Sequence, residues 1–162
     1  SIVFTSQGVP FFLQGEEFLR SKPIEGRPGE VSENSYNLPL YTNGLRYDLL
    51  SCNKDVFEYY KGLIAFRKAH KGLRMATQKE VEEHLVFFPD KAKNVVSFII
   101  QDEKEQIFVA YNANKDAVGI SLPEGKAWNL CVDGTKAGCD TLQQISGTYE
   151  IPGIACIAAY RS

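Results

Sequence analysis

Histidine, methionine and tryptophan are scarce in this 162-residue chain: two, one and one. The four cysteines, Cys52, Cys131, Cys139 and Cys156, form no Cys-x-x-Cys pair and stand at no metal-ligand spacing to His70 or His84. They read as small buried or half-buried thiols, with no positive sign of a Cys131–Cys139 disulfide, and no metal site is expected. A Gly-x-Ser-x-Gly elbow, a P-loop and a dinucleotide fingerprint are also missing, so serine-hydrolase, nucleotide and hydride chemistry lose their main support and no cofactor is expected. No apolar run approaches the roughly 18 residues of a membrane span. Eighteen Lys and Arg face 20 Asp and Glu, a net charge of −2 with a pI near 5.7. Scattered positive charge offers no field for nucleic acid or an anionic membrane, so neither partner is expected. Ser1 has no leader-like segment before it, which leaves a cytoplasmic or secreted location equally open.

What the chain does contain is a packed globular composition, 44% hydrophobic and 12% aromatic. Its first part, to about Arg74, alternates helical and irregular stretches. Ile2-Val3-Phe4 is an apolar run closed by Gly8, a helix-stop signal. Val9-Pro10-Phe11-Phe12-Leu13 is continuously apolar between Gly8 and Gly15, the pattern of a strand buried on both faces. Such a strand needs neighbours, and this part of the chain supplies none. A segment rich in Pro, Gly, Asn and Ser follows, from about Glu16 to Lys54, of a length that is usually functional or mobile. A helix is predicted over 55–72, with Asp55 as N-cap and Glu58 completing a capping box. Phe57, Tyr60, Leu63, Ile64 and the stem of Arg67 give it one apolar face, and Gly72 ends it.

From about Glu83 the apolar period changes from 3.6 to 2. Strands are predicted at His84–Phe88, 95–101, 106–112, Gly119–Leu122, 128–132, 148–151 and Ile154–Arg161. Turn signals separate them at Pro89-Asp90, Asp102-Glu103, Asn112–Asp116, Pro123–Gly125, Asp133-Gly134 and Pro152-Gly153. Several short strands with no helix between them imply an antiparallel sandwich.

Candidate chemistry is thin. His70 ends a helix, where its partial charge suits the dipole; His84 opens a strand and is read as lacking an acid or Cys partner, so neither is a credible catalytic base. Trp128 could stack on a sugar ring, but it alternates with Leu130 and Val132 and reads as core. Glycoside hydrolysis needs two carboxyls across roughly 5–9.5 Å. Neither Glu16-Glu17 nor Glu82-Glu83 supplies that alone, since adjacent strand residues point to opposite faces.

Gly8-Val9-Pro10-Phe11-Phe12-Leu13-Gln14-Gly15-Glu16-Glu17 resembles the G-x-P-x-x-x-x-G-x-E segment of the α-amylase superfamily of glycoside hydrolases. Glu17-Phe18-Leu19-Arg20-Ser21-Lys22 and Glu33-Asn34-Ser35-Tyr36-Asn37 are similar to the corresponding stretch of the bacterial type I pullulanases within it. Tyr59–His70 resembles their last barrel helix, and the β half, with Val109–Asn112 and Trp128–Leu130, resembles their C-terminal sandwich. The resemblance implies a mainly β chain: a C-terminal antiparallel β-sandwich (77–162) preceded by the eighth strand, long loop and last helix of a truncated (β/α)8 barrel (1–76).

It also implies an enzyme that hydrolyses α-1,6 linkages in pullulan, glycogen and starch dextrins with retention. The required Asp nucleophile, Glu acid/base and further Asp would lie on earlier strands, so no catalytic residue is assigned here and a chain of this extent is expected to be inactive alone. By the resemblance, Arg20, Asn34, Tyr36 and Asn37 lie near an α-glucan substrate, and Glu17 is structural at the strand end. One departure bears on substrate preference: relatives tend to read Asn-Ser-Tyr-Asn-Ser-Pro-Asp, whereas Leu38 and Leu40 flank Pro39 here, without the polar Asp. The alternative expectation is a free-standing carbohydrate-binding or structural β-sandwich module. Phe4, Phe11, Phe12 and Leu13, without a barrel around them, are expected to face water and favour self-association.

Overall fold

The structure, a computed structural model, is described over residues 1–89 and 92–162. Asp90 of the expected Pro89-Asp90 turn lies outside them. In chain order the elements are α1 (Ile2–Thr5), the hairpin β1 (Pro23–Ile24) and β2 (Arg27–Val31), α2 (Leu40–Asn43), α3 (Asp48–Cys52), α4 (Lys54–Ala69) and α5 (Gln78–His84), then β3 (Leu85–Phe88), β4 (Val95–Gln101), β5 (Gln106–Asn112), β6 (Val118–Ser121), β7 (Trp128–Val132), β8 (Gln143–Ile145), β9 (Thr148–Ile151) and β10 (Ala155–Arg161). Two compact units result, one of Ser1–Phe11 with Tyr59–Ser162 and one of Phe12–Glu58.

In the larger unit, six strands form one antiparallel sheet in the order β3-β4-β5-β10-β7-β8, and β6 pairs with β9 in a separate two-stranded sheet. Side chains alternate between the faces of the larger sheet, and both faces are covered. Ile99, Phe108, Leu130, Ile157 and Ala159 point to one side, where they pack with Trp128, Ile120, Leu122, Ile145 and Ile151. The opposite face, with Ile100 and Ile107, lies under the 3-10 turn Lys71–Arg74: a Cβ on Gly72 would come within 2.9 Å of Ile100 and 3.1 Å of Ile107. The central strands are therefore buried residue after residue, as at Phe98–Ile100, Ile107–Ala110 and Cys156–Ala159.

Helix α4 is held on the larger unit from Tyr59 onward. Gly62 leaves no room beside the chain at Ala137, whose carbonyl oxygen would lie 1.9 Å from an added Cβ. The Tyr59 hydroxyl donates to the Asp133 carbonyl at 2.8 Å. Buried Arg67 donates to three carbonyls, Phe4 at 2.9 Å, Ser6 at 2.7 Å and Gly8 at 2.6 Å. That fork fastens α1, where Phe4 packs edge-on against Tyr60 at 5.7 Å.

Several expectations change. Val9–Leu13 is not a buried strand: no strand is formed there, and Val9 is 94% and Phe11 87% exposed. A strand's backbone is satisfied only by neighbouring strands, and this stretch has none. Phe4, expected to face water, is 4% exposed under the Arg67 fork. The long helix starts at Lys54, so Asp55 sits in its first turn and does not cap it. The capping box belongs instead to α5, an element the apolar period did not reveal: Thr77 accepts the Glu80 amide at 3.2 Å while the Glu80 carboxylate accepts the Thr77 amide at 3.0 Å. His84 closes α5 rather than opening a strand, with Nδ1 2.6 Å from the Gln101 carbonyl. His70 is buried, its Nδ1 2.8 Å from a Glu105 carboxylate oxygen and its ring beside Phe66 and Tyr160. Trp128 is fully buried, its indole N–H donating to the Pro123 carbonyl at 3.2 Å with the Arg161 guanidinium 4.1 Å above the ring. All four cysteines are free thiols, but Cys52 and Cys139, expected to be buried or half-buried, are exposed; burial pushes Cys131 up to about 11 and Cys156 up to about 12.

Candidate functional site

The residues singled out for substrate contact all lie in the unit Phe12–Glu58. It begins with a tight reversal. Gly15 takes φ +100°, which an L side chain rarely adopts, and starts the 3-10 turn Glu16–Phe18. Glu17 folds back to accept the Gly15 amide at 2.8 Å, so its carboxylate closes its own turn. Glu16 and Glu17 are thus neighbours on a helical turn rather than on a strand, and their side chains still diverge. Phe18 is the turn's buried anchor, with the Tyr47 ring 5.7 Å away.

Arg20 lies back across this reversal. Its stem is so close to Gly15 that a Cβ there would stand 2.6 Å from Arg20 Cδ. Nη1 donates to the Gln14 carbonyl at 3.1 Å and Nη2 to the Asn43 carbonyl, while Nε is buried with no hydrogen-bond partner among the described residues. Two of its nitrogens are therefore committed to main-chain oxygen atoms.

Next, the β1–β2 hairpin returns the chain, with the Ser32 amide donating to the Lys22 carbonyl at 2.9 Å. It leads into a β-turn from Ser35 to Leu38, closed by the Leu38 amide on the Ser35 carbonyl at 3.0 Å. Tyr36 and Asn37 are the two corner residues; both are exposed, Tyr36 by 84%, and Asn34 is exposed just ahead of them. Ser35, in contrast, is buried and accepts Lys22 Nζ on its hydroxyl at 2.6 Å. Asn43, at the end of α2, donates its side-chain amide to the Ser35 carbonyl at 2.6 Å and the Leu38 carbonyl at 2.8 Å. Sequence reasoning missed Asn43, Ser35 and Lys22. Their significance lies in bonds to carbonyls and hydroxyls across the loop, which no periodicity records; the segment's richness in Asn and Ser is the sole hint.

Chemically, this unit presents two amides and a phenol on a braced turn, groups suited to hydrogen-bonding and stacking on sugar hydroxyls and ring faces. It does not present a facing carboxylate pair. Among the described residues no group of three or more His, Cys, Asp or Glu could hold a metal ion, and no helix is long and apolar enough to cross a membrane. A surface pair stands nearby: the Arg46 guanidinium grips both Asp48 carboxylate oxygens at 3.1 and 2.7 Å and holds that carboxyl below its usual range. In the larger unit the stacking platform once considered at Trp128 is absent, since the ring is enclosed.

Residues 81–136 match the family model described as the pullulanase all-beta domain. The pullulanase of Bacillus subtilis (strain 168) is 28% identical over 165 residues, covering 99% of this chain and 22% of that protein. An isoamylase of a Flavobacterium species is 31% identical over 160 residues, covering 82% of this chain and 20% of that protein. Among solved structures, the pullulanase of Anoxybacillus sp. LM18-11 complexed with maltotriose superposes with a TM-score of 0.83 at 27% identity, covering 99% of this chain and 22% of that one. The chain spans about a fifth of the length of the curated relatives it matches. Over nearly its whole length the chain is thus similar to one part of the pullulanases, the part that includes their all-beta domain.

Proposed function

We propose that the chain is the C-terminal part of a debranching enzyme that hydrolyses α-1,6-glucosidic linkages in pullulan, glycogen or starch-derived dextrins, and that alone it is inactive. Residues 1–76 are read as the end of a (β/α)8 catalytic barrel and 77–162 as its β-sandwich domain. One observation carries this reading: a likeness that covers 99% of this chain and 22% of the relative, and an apolar, largely exposed Val9–Leu13 that is not a strand among the described residues agrees with it. In the longer protein that segment becomes the eighth barrel strand, with a neighbouring strand on either side to satisfy its backbone.

The division of labour follows from the chemistry. Cleaving a glycosidic bond needs a carboxyl pair held across it, and this chain contributes none to the reaction. It contributes substrate positioning: Asn34, Tyr36 and Asn37 face the α-glucan, the bound maltotriose of the Anoxybacillus relative being the kind of ligand concerned, while Arg20 and Glu17 hold the reversal behind them. The sandwich acts as a structural domain on the last barrel helix. Incubating purified chain with pullulan is expected to yield no reducing sugar, whereas the longer protein bearing it releases maltotriose. Maltotriose release by the 162-residue chain alone would overturn the proposal.

A further inference from the structure

We propose that Asn43 is a positioning residue for glucan binding, setting the Tyr36-Asn37 corner through its side-chain amide without touching the sugar. This deepens the proposed function and rests on its reading of Tyr36 and Asn37 as substrate-facing.

A β-turn with exposed corner residues is held in itself by one bond, here the Leu38 amide on the Ser35 carbonyl. Such a turn on a loop exchanges among geometries unless something outside it pins both ends. Asn43 does so with a single group: its Nδ2 reaches the carbonyl at the first turn position, Ser35, at 2.6 Å and that at the last, Leu38, at 2.8 Å. The two carbonyls converge on one –NH₂, which has two hydrogens to give. Asn43 is itself fixed. Its amide donates to the Pro39 carbonyl at 3.0 Å, closing the single helical turn α2, and its own carbonyl receives the Arg20 guanidinium. Thr42 beside it is buried and donates its hydroxyl to the Pro23 carbonyl at 2.9 Å. The reversal at Gly15 and the turn are thus referenced to Asn43, and the hairpin to Thr42 beside it. Tyr36 and Asn37, which make no such bond themselves, owe their direction to it. A ligand bound by preorganised groups is held more tightly than one that must order them.

The substitution Asn43→Asp is the sharpest probe, being almost isosteric while exchanging the donor for an anion facing two carbonyls. In the longer protein bearing this chain, N43D is expected to raise KM for pullulan roughly tenfold and N43A roughly fivefold, about the value of one or two lost hydrogen bonds, with kcat within twofold and the midpoint of thermal unfolding unchanged. Relative to the parent protein at each pH, the N43D defect should shrink as the pH falls through the carboxyl's range and a donor is restored. Y36A serves as the reference for the reading beneath. If Y36A raises KM and N43D and N43A do not, Asn43 is not a positioning residue and the inference falls alone. If Y36A, N43D and N43A all leave KM unmoved, this turn does not face the glucan, and both the inference and that part of the proposed function fall. A drop in kcat or unfolding midpoint for N43D without a KM shift means a merely structural asparagine and also overturns it.

Discussion

At the scale of single residues, this chain is governed by close approaches of backbone to backbone. Gly62 is the clearest. In a helix interior, alanine is favoured over glycine by about 1 kcal/mol. At this position the added Cβ meets the Ala137 carbonyl at 1.9 Å, a main-chain atom that cannot rotate away. Overpacking of that kind costs about 1–3 kcal/mol, more than the propensity gains. Gly62→Ala should therefore lower the urea unfolding free energy by about 1–2 kcal/mol. A more stable variant would mean that the loop at Ala137 yields. Arg67 makes the complementary point, since one planar fork serves three carbonyls that lysine, a point donor, cannot reach together.

At the scale of elements, α5 shows how much of a short helix's bonding its first turn can supply. It has no buried residue, yet Glu80 accepts the amides of Ala76 and Thr77, and those two bonds with the Thr77 hydroxyl hold its carboxyl below the ordinary glutamate range. A carboxyl depressed in the folded state stabilises it above its unfolded value, and the benefit disappears as pH falls through the depressed one. The α5 amides should thus lose exchange protection only once the pH falls below the ordinary glutamate range. Glu80→Gln should remove that pH dependence, as judged by amide NMR; a transition surviving in the variant would assign it to another carboxyl.

The same scale explains what was legible in the sequence. The sheet strands were, at Val95–Gln101, Gln106–Asn112, Trp128–Val132 and Thr148–Ile151, because their apolar side chains and flanking turns are local signals. So was α4, though not its start. The strand assigned to Val9–Leu13 rested on a run of apolar residues with no neighbour to pair with, and periodicity is silent about partners. The two-residue β1 and the three-residue β8 are too short to show any period. At the candidate site, Tyr36 and Asn37 could be picked out by resemblance, but the residues that aim them could not, since Asn43 acts on carbonyls that every residue possesses.

At the scale of the whole molecule, the two units differ in what holds them. The larger has a sheet buried on both faces. In Phe12–Glu58, every residue of β2 is exposed and Phe18 is the one buried large hydrophobic side chain. Domains of ordinary stability resist global opening by about 5–15 kcal/mol, whereas weakly packed segments open at a fraction of that. Amides in 12–58 should therefore exchange roughly a thousandfold faster than those of β5 and β10 in the isolated chain. Equal protection across both would show that the smaller unit is as cooperative as the sheet.

Strand β10 stands between β5 and β7, in the middle of the six-stranded sheet, although it is the last strand to be made. Synthesis runs from the N-terminus at about 5–20 residues per second. For the seconds before Ala155–Arg161 clears the ribosome, β3-β4-β5 and β7-β8 are two half-sheets, each with a raw edge where its centre will be. Completion of the sheet therefore waits until β10 has been made. A nonsense codon or proteolytic nick before residue 155 would not trim this protein; it would leave the nascent chain with two open edges and hand it to the chaperones.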